Sequence, residues 1–202
     1  MAHKVICINR RCGSGGHIIG EMVANQLGIK YYDKNLLTLA LEYGGLTESK
    51  EYQNADEKAT NSAFYRLLYE GNEKVEKGKP ATDTLFQLQR DLMREIVQKE
   101  DCVIVGRCAD FILENDDVNL LSVFVTASLE YRVNHLMEID HLNKRQALAQ
   151  AKKIDKRRES YYHYFTKREW KDAKHYDLLL NSQRLGFDKC TKLLCDYYQN
   201  IL

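Results

Sequence analysis

The chain holds 202 residues, 44% of them hydrophobic, with 30 Lys and Arg against 29 Asp and Glu. That length and apolar content suit a single domain able to bury a sizeable core, and the near-zero net charge excludes a basic nucleic-acid arm or an acidic solvating tail as the main theme. One Pro favours helices over a loop-rich fold, and the longest apolar runs, at 102–105 and 120–125, fall far short of the ~20 residues a membrane-spanning helix needs.

Residues 5–8, Val-Ile-Cys-Ile, read as a first strand buried on both faces. A Gly-rich loop follows from Arg10 to Gly16. Ile18, Ile19, Met22, Val23 and Leu27 then recur at helical spacing, with Gly28 as the stop. Residues 29–32 form a short strand ending at Asp33, and Leu36, Leu37, Ala40 and Leu41 mark a second helix halted by Gly44-Gly45. Residues 46–81 are mostly polar and read as an exposed helical insertion carrying Phe64, Leu67 and Leu68, with a loop at Gly78-Lys79-Pro80. Leu85, Leu88, Leu92, Ile96 and Val97 form the stripe of a helix over 82–99. Further strands fall at 102–105, 120–125 and 178–180, with helical segments between and after them. Strands alternating with helices predict a parallel sheet covered on both faces, an α/β fold.

Met1-Ala2-His3-Lys4 leads into a strand-length apolar run and shows no secretory pattern. Cys7, Cys12, Cys102, Cys108, Cys190 and Cys195 form no CxxC pair. They read as free thiols, mostly buried as small hydrophobes, in a reducing cytoplasmic setting. The six His residues are scattered without HExxH or a Cys/His ligand pattern, so no protein-held metal is expected.

Two features carry chemistry. The first is Arg10-Arg11-Cys12-Gly13-Ser14-Gly15-Gly16-His17, placed between a strand and a helix. Glycines let several N–H groups converge on one anion, and the helix N-terminus adds its dipole. The dinucleotide fingerprint G-x-G-x-x-G fits Gly13 and Gly15 but meets Ile18 at the third glycine, although Asp33 lies 20 residues past Gly13. The P-loop G-x-x-x-x-G-K-[ST] would begin at Arg10 in place of its first glycine, with Gly16 for the lysine and His17 for the Ser or Thr. A tight turn without a ligand is the bland alternative. The second feature is residues 141–174, which hold 11 Lys and Arg against 4 Asp and Glu, a net +7 against −6 elsewhere. Taken alone, such a run reads as a solvated helix face. Its aromatic neighbours Tyr161, Tyr162, Tyr164, Phe165 and Trp170 favour packing over base stacking. The spacing matches no RNP motif, so no nucleic-acid partner is expected.

The Gly-Ser-Gly-Gly loop after an arginine, Tyr31-Tyr32-Asp33-Lys34, the strand ending Gly106-Arg107, the strand-to-helix run at 122–132, Asp155-Lys156-Arg157-Arg158 and the segment 176–182 occur in an order that resembles the cytidylate kinase-like family. The resemblance covers nearly the whole chain and is weakest over 46–80. It implies a P-loop kinase fold with five parallel strands, a monophosphate-binding insertion at 34–80 and a mobile arginine-bearing lid within 141–175.

It further implies ATP as donor, with Mg2+ carried on its phosphates, and CMP or dCMP as acceptor. Gly13, Ser14, Gly15 and Gly16 would offer N–H groups to ATP, with His17 touching phosphate or capping the helix. Arg10 would replace the missing lysine. Arg107 would hold acceptor phosphate, and Arg132 either reaches that phosphate or forms a surface ion pair. Asp33 is an acceptor-site carboxylate or a helix N-cap. Cys108 stands where the family has an acid, which leaves Asp110 without a fixed role. Arg157 and Arg158 belong to the lid, with Arg157 the better fit to the family register. A non-catalytic nucleotide sensor and a kinase for another small metabolite are the competing readings.

Overall fold

The computed structural model describes residues 2–46, 52–53 and 81–200. Five parallel strands form one sheet in the order β2-β3-β1-β4-β5. They are β1 (Lys4–Arg10), β2 (Lys30–Tyr32), β3 (Cys102–Val105), β4 (Asn119–Thr126) and β5 (Leu178–Asn181). β1 is central, with Val5 opposite Cys102 on one side and Leu120 on the other. Its apolar run is continuous because both faces are covered.

Side chains alternate between two cores, as the strand period requires. Ile6 and Ile8 join Ile19 and Val23 of α1 (Gly16–Leu27) and Leu194 of α7 (Ser182–Asn200, interrupted at Gly186). Val5 and Cys7 face Met93 of α3 (Ala81–Val97) and Leu113 of α4 (Ala109–Leu113), together with Tyr161, Tyr162 and Trp170. α2 (Asn35–Tyr43) ends at Gly44, as the glycine pair predicts. The expected helix around Phe64, Leu67 and Leu68 and the loop at 78–80 lie outside the described residues. All six cysteines are buried and free. Among the described residues, no helix is long and apolar enough to cross a membrane.

The cationic segment falls mainly on α6 (Lys144–Thr166), which packs against α5 (Leu129–Ile139) through Val133, Leu136, Ala147 and Ala151. A capping box between Asn143 and Gln146 starts α6, and Lys167 ends it in left-handed geometry. Its far end is built into the main core: Tyr161, Tyr162 and Trp170 are buried, and Phe165 stacks on Phe86 with centroids 3.9 Å apart. Those aromatics pack rather than present a stacking platform.

From β1 the chain leaves toward β2 on one side, and from its neighbour β4 toward β5 on the other, so the connections diverge at the carboxyl ends of β1 and β4. Open α/β sheets bind ligands at such a point. Arg10 ends β1, Asp33 follows β2 and Arg107 follows β3. Strand order therefore brings these three residues to one edge.

Ile6 on the central strand is fully buried, so Ile6→Ala is expected to cost about 2–5 kcal/mol in urea unfolding. Leu193→Ala, at a side chain 46% exposed, should stay within about 0.5 kcal/mol.

Candidate active site

The loop from Arg10 to Gly15 is held by its carbonyl groups. Arg158 Nη1 donates to the Arg10 carbonyl at 3.1 Å. The Arg11 carbonyl accepts from the Ser14 N–H at 3.1 Å and the Ser14 hydroxyl at 2.8 Å. Arg132 Nη1 donates to the Cys12 carbonyl at 2.9 Å, and His135 Nδ1 to the Gly13 carbonyl at 2.9 Å. Because a carbonyl only accepts, His135 must carry its proton on Nδ1. Ser182 Oγ donates to the Ser14 carbonyl at 2.7 Å, and the Ile19 N–H to that of Gly15 at 2.9 Å. Each of the six oxygens thus has a donor supplied by the protein.

With the oxygens turned into the protein, N–H groups are left facing the other way. No acceptor among the described residues takes the N–H of Gly13 or Gly15, and helix geometry leaves those of Gly16 and His17 pointing out of the α1 N-terminus. The Ser14 N–H is committed to Arg11, so it falls outside this set, and the buried Ser14 hydroxyl points at backbone oxygens. Gly13 (φ 78°) and Gly15 (φ 75°) adopt left-handed geometry. A Cβ on Gly13 would lie 2.6 Å from the Arg132 carbonyl oxygen, and one on Gly16 2.4 Å from the Arg10 Cβ. At the position where the full motif carries lysine, the space is filled by Arg10.

Beside this nest lies a cavity of about 510 Å3, lined among others by Arg10, Asp33, Thr38, Arg107, Arg157 and Arg158. Asp33 Oδ1 is 3.3 Å from Arg10 Nη2 and 3.5 Å from Arg107 Nη1. It does not cap α2, whose N-cap residue is Lys34; its own N–H donates to Asn35 Oδ1. Arg107 is buried, and Gly106, Arg107 and Cys108 are three consecutive left-handed residues. That turn, closed by Ala109 N–H to the Gly106 carbonyl, carries Arg107 to the cavity wall. Left-handed geometry at two non-glycine residues costs roughly 1–3 kcal/mol each and persists only where surrounding contacts enforce it. Both Arg157 and Arg158 line the cavity, although adjacent helical residues diverge by about 100°.

Arg132 and Asp110 stand apart from this wall. Arg132 is buried, donating to Ala127, Cys12 and Asp155, so neither the phosphate contact nor the surface ion pair describes its setting here. Asp110 accepts from Asn9 Nδ2 at 2.9 Å and the Tyr162 hydroxyl at 2.7 Å. Burial pushes its pKa up against the pull of those donors. His17 keeps solvent contact, yet partial burial lowers its pKa from the usual imidazole value; Asp33 opposes that shift, and Arg10, Lys34 and Arg158 add to it. Burial raises the Cys12 thiol pKa, which argues against a nucleophile there.

Sequence reasoning passed over His135, Asp155 and Ser182. The sequence signals for Asp155 are its place in the Asp155-Lys156-Arg157-Arg158 segment and its spacing three residues before Arg158 on one helix.

Gly13 and Gly28 are both left-handed, but a Cβ on Gly28 meets nothing within 4 Å. Gly13→Ala should therefore destabilise more than Gly28→Ala, by about 1–3 kcal/mol in denaturant midpoints converted at constant m.

A crystal structure of an uncharacterized protein from Eubacterium ventriosum is similar, with 24% identity and a TM-score of 0.72 over 98% of this chain and 99% of that one. A shikimate kinase from Bacteroides thetaiotaomicron matches with 14% identity and a TM-score of 0.54, over 97% of this chain and 98% of that one. No curated protein matches the sequence significantly. These likenesses place the chain in the P-loop kinase fold. The family model of the cytidylate kinase-like family matches residues 5–184; the chain belongs to that family, and by that membership it is a phosphoryl-transfer kinase.

Proposed function

We propose that the protein transfers the terminal phosphoryl group of ATP to a pyrimidine nucleoside monophosphate, CMP or dCMP. The observation that carries this reading is the juxtaposition of an amide nest with a 510 Å3 cavity lined by Arg10, Arg107, Arg157 and Arg158. Phosphoryl transfer needs two anions aligned and the charge on the moving group neutralised, with little covalent work from the protein. A cavity of that volume suits a small ligand, and guanidinium forks match phosphate oxygens. The pyrimidine assignment rests on the family.

In this reading the N–H groups of Gly13, Gly15 and Gly16 hold the donor phosphates. Arg10 supplies the cation that lysine brings elsewhere. Arg107 grips the acceptor phosphate, while Arg157 and Arg158 close over the group in transit. Asp33 orients Arg10 and Arg107 through its shared oxygen. Among the described residues, no group of three metal-ligating side chains converges. His17 occupies the usual hydroxyl position, and Ser14 is turned inward. These residues do not fit a protein-held magnesium ion, so Mg2+ would arrive bound to ATP and no step is assigned to it. A cytoplasmic setting suits the buried free thiols.

A second reading, a kinase for another small metabolite, draws on the likeness to a solved shikimate kinase. An ADP-release assay with CMP, dCMP, UMP, AMP, shikimate and no acceptor separates the two. CMP or dCMP should exceed every other arm; a shikimate response would move the assignment, and flat rates would refute it. Arg10→Ala is expected to lower kcat by on the order of 100-fold or more, with the thermal midpoint within a few degrees of wild type. Retained turnover would remove Arg10 from the mechanism.

A further inference from the structure

Asp155 is a buried carboxylate on α6 that the proposed reaction leaves without a role. It does not line the acceptor cavity. Its Oδ1 accepts from the Cys12 N–H at 2.8 Å, and its Oδ2 from Arg132 Nη1 at 2.9 Å and Arg11 Nη1 at 3.3 Å. The same Arg132 Nη1 donates to the Cys12 carbonyl at 2.9 Å. Both polar groups of Cys12 are thus gripped, its N–H by Asp155 and its carbonyl by Arg132, while the two gripping side chains bind each other. Ala147 and Ala151, fully buried on the same helix, pack against Cys12 and let α6 lie close to the loop.

Cys12 immediately precedes Gly13. The Gly13 N–H shares a peptide plane with the Cys12 carbonyl, so the Arg132 bond to that carbonyl sets its direction, while Asp155 fixes the Arg11–Cys12 plane before it and holds Arg132 in place. Two and three residues beyond Asp155 on α6 are Arg157 and Arg158, and Arg158 also holds the Arg10 carbonyl. At 1.5 Å rise per residue all three sit within about 5 Å along the helix axis.

We propose that Asp155 is a positioning residue: from α6 it fixes the Arg11–Cys12 peptide directly and the Cys12–Gly13 peptide through Arg132, and so the direction of the loop N–H groups, making the donor-phosphate nest and the arginines of the acceptor cavity one rigid unit. What the nest holds rests on the proposed kinase reading; that Asp155 sets its geometry does not. The lid helix then acts as a wall of the nest, and donor and acceptor ligands each favour the arrangement that suits the other.

The test compares wild type, Asp155→Asn, Arg132→Met and the double variant Asp155→Asn/Arg132→Met. Hydrogen exchange is read on a peptide covering residues 10–17 without ligand, MgATP affinity by calorimetry, and stability by thermal midpoint. Asp155→Asn should speed exchange in that peptide and weaken MgATP, each by about tenfold or more, the size of one charged hydrogen bond. It also leaves Arg132 buried without its counter-charge, which lowers the midpoint. Arg132→Met by itself frees the Cys12 carbonyl, so it is the reference for the double variant: adding Asp155→Asn to Arg132→Met should speed loop exchange and weaken MgATP further. A purely structural ion pair predicts that Arg132→Met and the double variant exchange alike and bind MgATP alike, and that result overturns the proposal, as does unchanged exchange in Asp155→Asn. If Asp155→Asn fails to fold, the comparison of Arg132→Met with the double variant decides. If wild type binds no MgATP the proposed donor assignment fails, and the exchange arm still decides the role of Asp155.

Discussion

The site depends on where the carbonyl oxygens of residues 10–15 point. A glycine-rich segment can face a ligand with oxygens or with N–H groups, and only the second arrangement attracts an anion. The choice is set from outside the loop: Arg158 of α6, Arg132 and His135 of α5 and Ser182 of α7 each take one oxygen. Three helices distant in sequence thus fix the polarity of one turn. The short helix-start bond from Ile19 and the internal bonds of Ser14 complete the set. Glycine supplies the permission for this geometry, and the tethers supply its uniqueness.

The same residues resolve an electrostatic problem. Arg10, Arg107 and Arg132 are all buried, where an uncompensated charge is costly. Asp33 stands between Arg10 and Arg107, and Asp155 accepts from Arg132 and Arg11. The net +7 of residues 141–174 is therefore not one field. Arg157 and Arg158 line the cavity, whereas Arg168 pairs with Glu114, Lys171 with Glu159 and Lys174 with Asp172 at the surface. Exposed pairs of that kind contribute little. The solvated-face reading holds for part of the segment and the phosphate reading draws on the remainder.

How much of this was legible in the sequence follows from how local each signal is. The strand over residues 5–8 and the helix ending at Gly28 are written in periodicity and a single left-handed stop, so they appear where expected, within a residue or two. The meeting of Arg10, Asp33 and Arg107 at one edge follows from their places at or just after strand ends, whereas the phosphate roles expected of them come from the family resemblance. Ser14 was misread in one respect. Its place among glycines suggests a ligand contact, yet its N–H closes a turn on Arg11, a bond invisible in a string of letters. Arg132 looked like a phosphate ligand because arginine at a helix start fits that role. Only tertiary packing reveals that a loop carbonyl and a buried carboxylate occupy it. His135 lies in no motif and Ser182 only closes the 176–182 segment, since one hydrogen bond to a distant carbonyl leaves no pattern along the chain.

Gly16 and Arg10 form a complementary pair that bears on how the motif can diverge. A lysine on the loop reaches phosphate through a flexible stem and loses rotamer freedom when it does so. Here the Arg10 Cβ lies where any side chain at position 16 would begin, so a loop lysine and this placement of Arg10 exclude each other. Arg10 sits at the end of the central strand, with Asp33 on its Nη2. A cation fixed in that way is already oriented before a ligand arrives, and preorganised charge is the form in which electrostatic stabilisation acts most strongly. Its neighbour Asp33 also weakens its field, so the strand-borne arginine trades strength for fixed direction. In the proposed reaction Arg107, sharing the same carboxylate oxygen, restores part of that strength on the acceptor side. A lysine at position 16 and an arginine held at this strand end are therefore alternative ways to place a cation beside the loop, and the packing of this chain admits only the second.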